Sequence, residues 1–159
     1  MSTSKPELTV ADRLAIEDLL NEFAWRVDHG RAATVSELFT EDGAITTPMF
    51  SVKGRAEIEA HFARRDADGS KVSRHQWSNL RITTPGSDRA RVEVIVQTHL
   101  GTRSGTGPVQ PDHVVVGDSI DIVQRGADGS WRFAERRLAI AFRTELGPRA
   151  APHNPPAQG

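Results

Sequence analysis

The sequence contains no cysteine and no tyrosine, and its 159 residues include only two methionines and three tryptophans. Without cysteine there is no disulfide framework, no thiolate metal site and no cysteine nucleophile. That absence fits a reducing compartment. Without tyrosine, no phenol is present to act as an acid or hydrogen-bond donor. Neither charge is in excess: 20 basic and 21 acidic residues leave a formal charge of −1. Nucleic-acid binders carry a strong positive balance, so a nucleic-acid partner is not expected. No apolar run approaches the roughly 20 residues that span a bilayer. The stretch Met1-Ser2-Thr3-Ser4-Lys5-Pro6-Glu7 has no apolar core of a secretory signal. A cytoplasmic protein without a membrane partner is the expectation.

What is present fits one domain of this length, large enough to bury a core without staples. Residues 1–8 read as a flexible leader, 9–145 as the domain and 146–159 as a proline-rich disordered tail. Thr9 and Asp12 have capping-box spacing just ahead of Ile16, Leu19, Leu20, Phe23 and Val27, which repeat at helical period until Gly30. A helix is predicted over Val10 to Val27, a short one over Ala32 to Phe39 and a third over Gly54 to Ala67. Glu41-Asp42-Gly43 reads as a turn before a short strand, Ala44 to Thr47. Strands are predicted over Ser73–Thr83, Arg89–Leu100, Val114–Gln124 and Trp131–Arg143, with turns at Pro85-Gly86 and Gly126–Gly129. Helices first and long strands afterwards imply α+β. Residues 101–112, with three glycines, are expected to form a mobile loop beside a pocket.

Several stretches then align with one family. They are Ala24-Trp25-Arg26-Val27-Asp28, Leu38-Phe39-Thr40-Glu41-Asp42-Gly43, Lys53-Gly54-Arg55-Ala56-Glu57-Ile58, Arg74-His75-Gln76-Trp77-Ser78-Asn79 and Asp128-Gly129-Ser130-Trp131-Arg132-Phe133-Ala134. In order and spacing the chain from about residue 9 to 143 resembles the SnoaL-like branch of the NTF2-like superfamily, with its scytalone dehydratases, polyketide cyclases and ketosteroid isomerase relatives. The resemblance implies a cone in which three helices pack on a strongly curved, mostly antiparallel sheet and enclose one apolar pocket. It also implies a homodimer formed through the outer face of the sheet.

Four titratable residues are candidates for chemistry. Asp28 ends the first helix, where a carboxylate meets the negative end of the macrodipole. It is either a solvated acid, whose loss would cost little stability, or an acid that orients a histidine. His75 lies on a strand with Trp77 and Asn79 on the same face. Imidazole is the group best suited to proton transfer near neutrality, and the resemblance places His75 at the dehydratases' strand histidine. His99 groups with Ile95 and Gln97, opposite Val94 and Val96, and which side is concave stays open. Asp118 interrupts an apolar strand and is either a second pocket acid or an edge charge. Trp25, Trp77 and Asn79 are candidate substrate contacts, and His113 sits at a strand entry.

The dehydratases polarise a carbonyl with tyrosine, which this chain lacks. No His-x-His or His-x-x-x-His spacing favours a metal. Gly101, Gly105 and Gly107 do not follow a strand–helix phosphate pattern, and no Gly-x-Ser-x-Gly elbow occurs. The expected function is acid–base catalysis without metal or cofactor on a small, mostly apolar carbonyl compound, with Asp28, His75 and His99 catalytic. A non-catalytic pocket or structural subunit is the rival reading. An epoxide hydrolase using Asp28, Asp118 and Arg137 is a third.

Overall fold

The computed structural model of the protein describes residues 8–83 and 86–146. The leader before Leu8, Pro85 of the expected turn and the tail from Gly147 onward lie outside the described residues. Helix α1 runs Val10–Asp28 and opens with the capping box: Thr9 Oγ1 accepts from the Asp12 amide and Asp12 Oδ2 from the Thr9 amide, each at 3.1 Å. Ile16, Leu19, Leu20 and Val27 are its buried stripe. The expected second helix is a 3-10 helix, Ala32–Leu38. The amides of Ala32 and Ala33, which have no partner within the helix, are taken by Asp66 at 3.0 and 2.8 Å. That carboxylate ties the 3-10 helix to helix α2, Arg55–Ala67.

Strand β1, Phe39–Thr46, absorbs the acidic segment expected to be a turn. Its register to the last strand slips between Phe39 and Ala44, so Glu41-Asp42-Gly43 is an irregularity within the strand. Gly43 permits the close approach: a Cβ there would stand 2.9 Å from Cβ of Phe39 and 3.0 Å from the Phe133 carbonyl oxygen. Strand β2 is Ser51–Lys53. The long strands are β3, Lys71–Thr83; β4, Arg89–Thr102; β5, Pro111–Arg125; and β6, Trp131–Glu145. Their ends run past the sequence expectation because main-chain pairing continues under polar side chains. The expected 101–112 loop therefore shrinks to 103–110.

The sheet order is β2-β1-β6-β5-β4-β3. Only β1 and β6 pair in parallel. The result is an open, mixed, mostly antiparallel six-stranded sheet with the helices packed on it. This is the α+β architecture expected of the sequence. Register shifts along the β3–β4, β4–β5 and β5–β6 pairings put extra residues in β3, β5 and β6 and bend the strands.

One end of the inner face is solid core. Val92, Val123, Trp131 and Phe133 meet Ile16, Phe39 and Ile58 there, all at most 6% exposed. Phe23 packs edge-on against Phe39 and Phe133, with centroids 6.2 and 6.0 Å apart. The N-terminus of α1 is pinned to this end by Asp12, which pairs with Arg125 and accepts from Trp131 Nε1 at 3.2 Å. Because the core fills one end, the helices stand away from the sheet at the other, and the cavity lies there. Among the described residues no helix is long and apolar enough to cross a membrane.

Candidate active site

The cavity has a volume of about 310 Å³ and takes its wall from α1, Ile45 of β1, the 47–50 segment, α2 and strands β3 to β6. Alternation places Val94, Val96, Thr98 and Leu100 of β4 on the inner face. Leu20, Phe23, Ala24 and Val27 of α1 close the opposite side. Most of the lining is apolar, so the few polar groups in it are conspicuous.

The first of these is His75. Asp28 follows buried Val27 as the last residue of α1, which aims its carboxylate at β3. Oδ1 accepts from Nδ1 of His75 at 2.6 Å and from the Ser73 hydroxyl at 2.5 Å, and Oδ2 accepts from the His75 amide at 2.7 Å. The Asp28 side chain is 4% exposed and that of His75 24%. Burial pushes the Asp28 carboxyl up, but the hydrogen bond and charge of His75, together with the Ser73 hydroxyl, pull harder and hold it below the usual carboxylate range. Donation from Nδ1 to the carboxylate leaves the Nε2 lone pair of the neutral ring free to take a proton. Trp77, two residues on, lines the same wall, fixed by donation from Nε1 to Asn21 Oδ1 at 2.9 Å.

A second charged group sits across the sheet. Arg136 of β6 lines the cavity with its guanidinium 4.1 Å from the Phe23 ring and 4.3 Å from that of Phe133. Its Nη2 lies 3.1 Å from Oδ2 of Asp121, an ion pair whose angles fall short of a hydrogen bond, and its Nε donates to Oδ1 at 3.3 Å. Ser119 donates to the same Oδ1 at 2.8 Å. Asp121 is fully buried, and that burial raises its carboxyl against the pull of Arg136 and Ser119. Arg136 Nη1 is buried with no hydrogen-bond partner among the described residues. From α2, His61 stacks on Phe50 at 3.9 Å and lines the cavity. Burial, then the charge of Arg64, pushes the His61 imidazole down, so it is neutral at neutral pH.

Of the residues singled out in the sequence, the structure brings His75 and Trp77 to the cavity wall, with Asp28 bonded behind His75. It places the others elsewhere. His99 pairs with Arg74 and Val114 on the outer face of β4, because Thr98 and Leu100 hold the inner phase. Asp118 lies opposite Ile95 and Ala139 on the outer face and is exposed, while Ser119 points inward. Arg137 is outward for the same reason: Arg136 and Leu138 face in. The epoxide hydrolase set is therefore split between the two sides of the sheet. Asn79 sits at a bulge with φ of 58°, where the register slips between Ser78 and Arg81, and Leu80 takes the inward place. Trp25 is 58% exposed and stacks on His29, on the side of α1 away from Phe23. His113, and every residue of the 103–110 loop, lie outside the cavity lining. Among the described residues no three histidine or acidic side chains converge to hold a metal ion.

Sequence reasoning missed Ser73, Arg65, His61, Asp121 and Arg136. A faint signal was there: Arg65 continues the Ile58–Phe62 stripe of α2, and Asp121 falls on the apolar phase of β5.

The SnoaL-like domain model matches residues 8–137. The chain belongs to the SnoaL-like domain family. Among solved structures, a candidate scytalone dehydratase of Novosphingobium aromaticivorans superposes with a TM-score of 0.72 at 24% identity, covering 94% of this chain and 96% of its own. A hexachlorocyclohexane dehydrochlorinase (LinA, type 2) gives 0.74 at 20% identity, covering 94% and 97%. An NTF2-like protein with a cystatin-like fold, also from N. aromaticivorans, gives 0.65 at 28%, with 83% of each chain covered. At such identities these likenesses establish the SnoaL-like chain's fold. No curated protein matches the sequence significantly.

Proposed function

We propose that this SnoaL-like protein is a cofactor-independent acid–base enzyme, a lyase of the dehydratase kind or an isomerase or cyclase. Its substrate is a small, largely apolar molecule with a carbonyl, such as a polyketide or terpenoid intermediate. The observation that carries the reading is the Asp28 carboxylate 2.6 Å from Nδ1 of His75, at the wall of an apolar cavity. Nε2 of His75 takes a proton from the carbon beside the carbonyl, and Asp28 stabilises the imidazolium that forms. The negative charge left on the enolate is met by Arg136, with the neutral imidazole of His61 as a further donor in place of the missing tyrosine. Returning the proton to another carbon isomerises the substrate. Delivering it to a departing hydroxyl expels water, and attack of the enolate carbon on a second carbonyl closes a ring. The dehydratase and dehydrochlorinase among the structural relatives support an enzyme of this fold.

The test uses small cyclic ketones as probes in deuterated water, with exchange of the α-hydrogens followed by NMR. Wild type should catalyse the exchange, and should still do so after chelation and dialysis. His75→Gln and Asp28→Asn should each lower it about 10²-fold or more. Exchange by wild type no faster than in buffer would favour the non-catalytic pocket protein, and exchange that His75→Gln leaves untouched would put the base elsewhere. As part of the same proposal we place the protein in the cytoplasm, as a homodimer, with no nucleic-acid or membrane partner.

A further inference from the structure

Position 65 of α2 continues an inward stripe with Ile58 and Phe62, yet it carries a guanidinium. A cation on an apolar cavity wall is costly unless something there uses it. Arg65 stands between the apolar cavity and a second, polar cavity of about 200 Å³, which also reaches Asp28, Asp66, Asp68 and Arg74. Those neighbouring acids have other hydrogen-bond partners: Asp66 the amides of Ala32 and Ala33, and Asp68 the Ser70 hydroxyl, with Lys71 beside it and the Arg65 charge acting on it from beyond ion-pair distance. Among the described residues no carboxylate forms an ion pair with Arg65. Instead its Nη2 lies 2.5 Å from Oγ of Ser73, and its Nε lies 3.5 Å from the Val27 carbonyl oxygen. Ser73 is 2% exposed, and its Oγ is 2.5 Å from Oδ1 of Asp28.

The direction of these contacts follows from what each group can do. A guanidinium has donors and no acceptor, so the Ser73 oxygen must accept from Arg65. Its single hydroxyl proton is then committed to Asp28. It lands on Oδ1, the same oxygen that receives Nδ1–H of His75. A hydroxyl that would otherwise rotate is locked toward the carboxylate. We propose that Ser73 and Arg65 are positioning residues of the base: Arg65 orients the Ser73 hydroxyl, and the hydroxyl holds the Asp28 carboxylate charged and in line with His75. The inference rests on the acid–base reading of Asp28 and His75.

The measurement is the acid titration of the Asp28 carboxyl by carbon-13 NMR in wild type, Ser73→Ala, Ser73→Thr, Arg65→Met and His75→Gln. Loss of one hydrogen bond to the carboxylate should move that titration upward by about one pH unit in Ser73→Ala, and Arg65→Met, which frees the hydroxyl to rotate, should move it in the same direction. Ser73→Thr, which keeps the hydroxyl, should restore the wild-type curve. Ser73→Ala removes a single oxygen, so it carries the test where Arg65→Met does not fold, and melting curves report which case holds. A titration that moves in His75→Gln but not in Ser73→Ala would overturn the relay and leave the pair standing. A titration that moves in none of the variants would overturn the relay together with the acid–base pair.

Discussion

At the end of α1 the free carbonyls present the negative pole of the helix, and a carboxylate there is disfavoured by about 0.3–1 kcal/mol. Asp28 is held in place because three donors converge on it: Nδ1 and the amide of His75, and the Ser73 hydroxyl. A hydrogen bond to a charged group contributes about 1.5–3 kcal/mol. The dipole argument read from the sequence, that removing this acid costs little stability, is therefore reversed by its partners. Asp28→Asn should lower the melting temperature by the equivalent of about 1–3 kcal/mol. The sign of its pH dependence follows from the depressed carboxyl. A group held below its unfolded value contributes stability that is fully present above the unfolded pKa of about 3.9 and is lost as pH falls through the folded value. The carboxylate's share of the stability gap between wild type and Asp28→Asn should thus disappear as pH falls through the depressed folded value. A gap that persists once the carboxyl is protonated would show that the carboxylate charge is not what the fold uses.

Among the elements, α1 was legible from end to end because its signals are local: Thr9 and Asp12 three apart, then an apolar stripe at helical period. The alternation of β4 was legible too, although which phase faced inward depended on helices packing from elsewhere. His75 and Asp28 were each visible as candidates. Their partners were not, since Ser73 reaches Asp28 across 45 residues and Arg136 reaches Asp121 only through the register of β5 and β6. The bulge in β3 shows the same limit. Strict alternation puts Asn79 beside His75 and Trp77, but one residue at φ of 58° shifts the phase and sends Leu80 inward. Asparagine tolerates that conformation and β-branched residues do not. Asn79→Val should cost about 1–3 kcal/mol and Asn79→Gly much less, as read by denaturant melts. Equal losses in the two variants would mean that the side chain, and not the backbone, matters at this position.

At the scale of the whole molecule, the outer face of the sheet carries an apolar stripe among the described residues. β5 is a central strand, and its outward side chains include Val114, Val116, Ile120 and Ile122. Phe142 of β6 stands opposite Val116 at 70% exposure, and Ile95 of β4 stands opposite Asp118 at 37%. Charges border this stripe at Arg91, Glu93, Glu135 and Arg137, and the exposed Asp118 stands within it between Val116 and Ile120. A mostly apolar centre inside a polar rim is the anatomy of a protein interface. A second copy laid across it would need to bury roughly 1,200–2,000 Å² in total to be stable. The expected result is a dimer in sedimentation at micromolar concentration. Phe142→Glu adds a second carboxylate to the centre that already holds Asp118, and should give a folded monomer with an unchanged melting profile at low concentration. Because the cavity opens on the other side of the sheet, those monomers should still catalyse the exchange of ketone α-hydrogens. A wild type that sediments as a monomer would remove the outer face as an interface. Monomeric variants that lose the exchange reaction would instead show that the partner copy supports the cavity through the sheet.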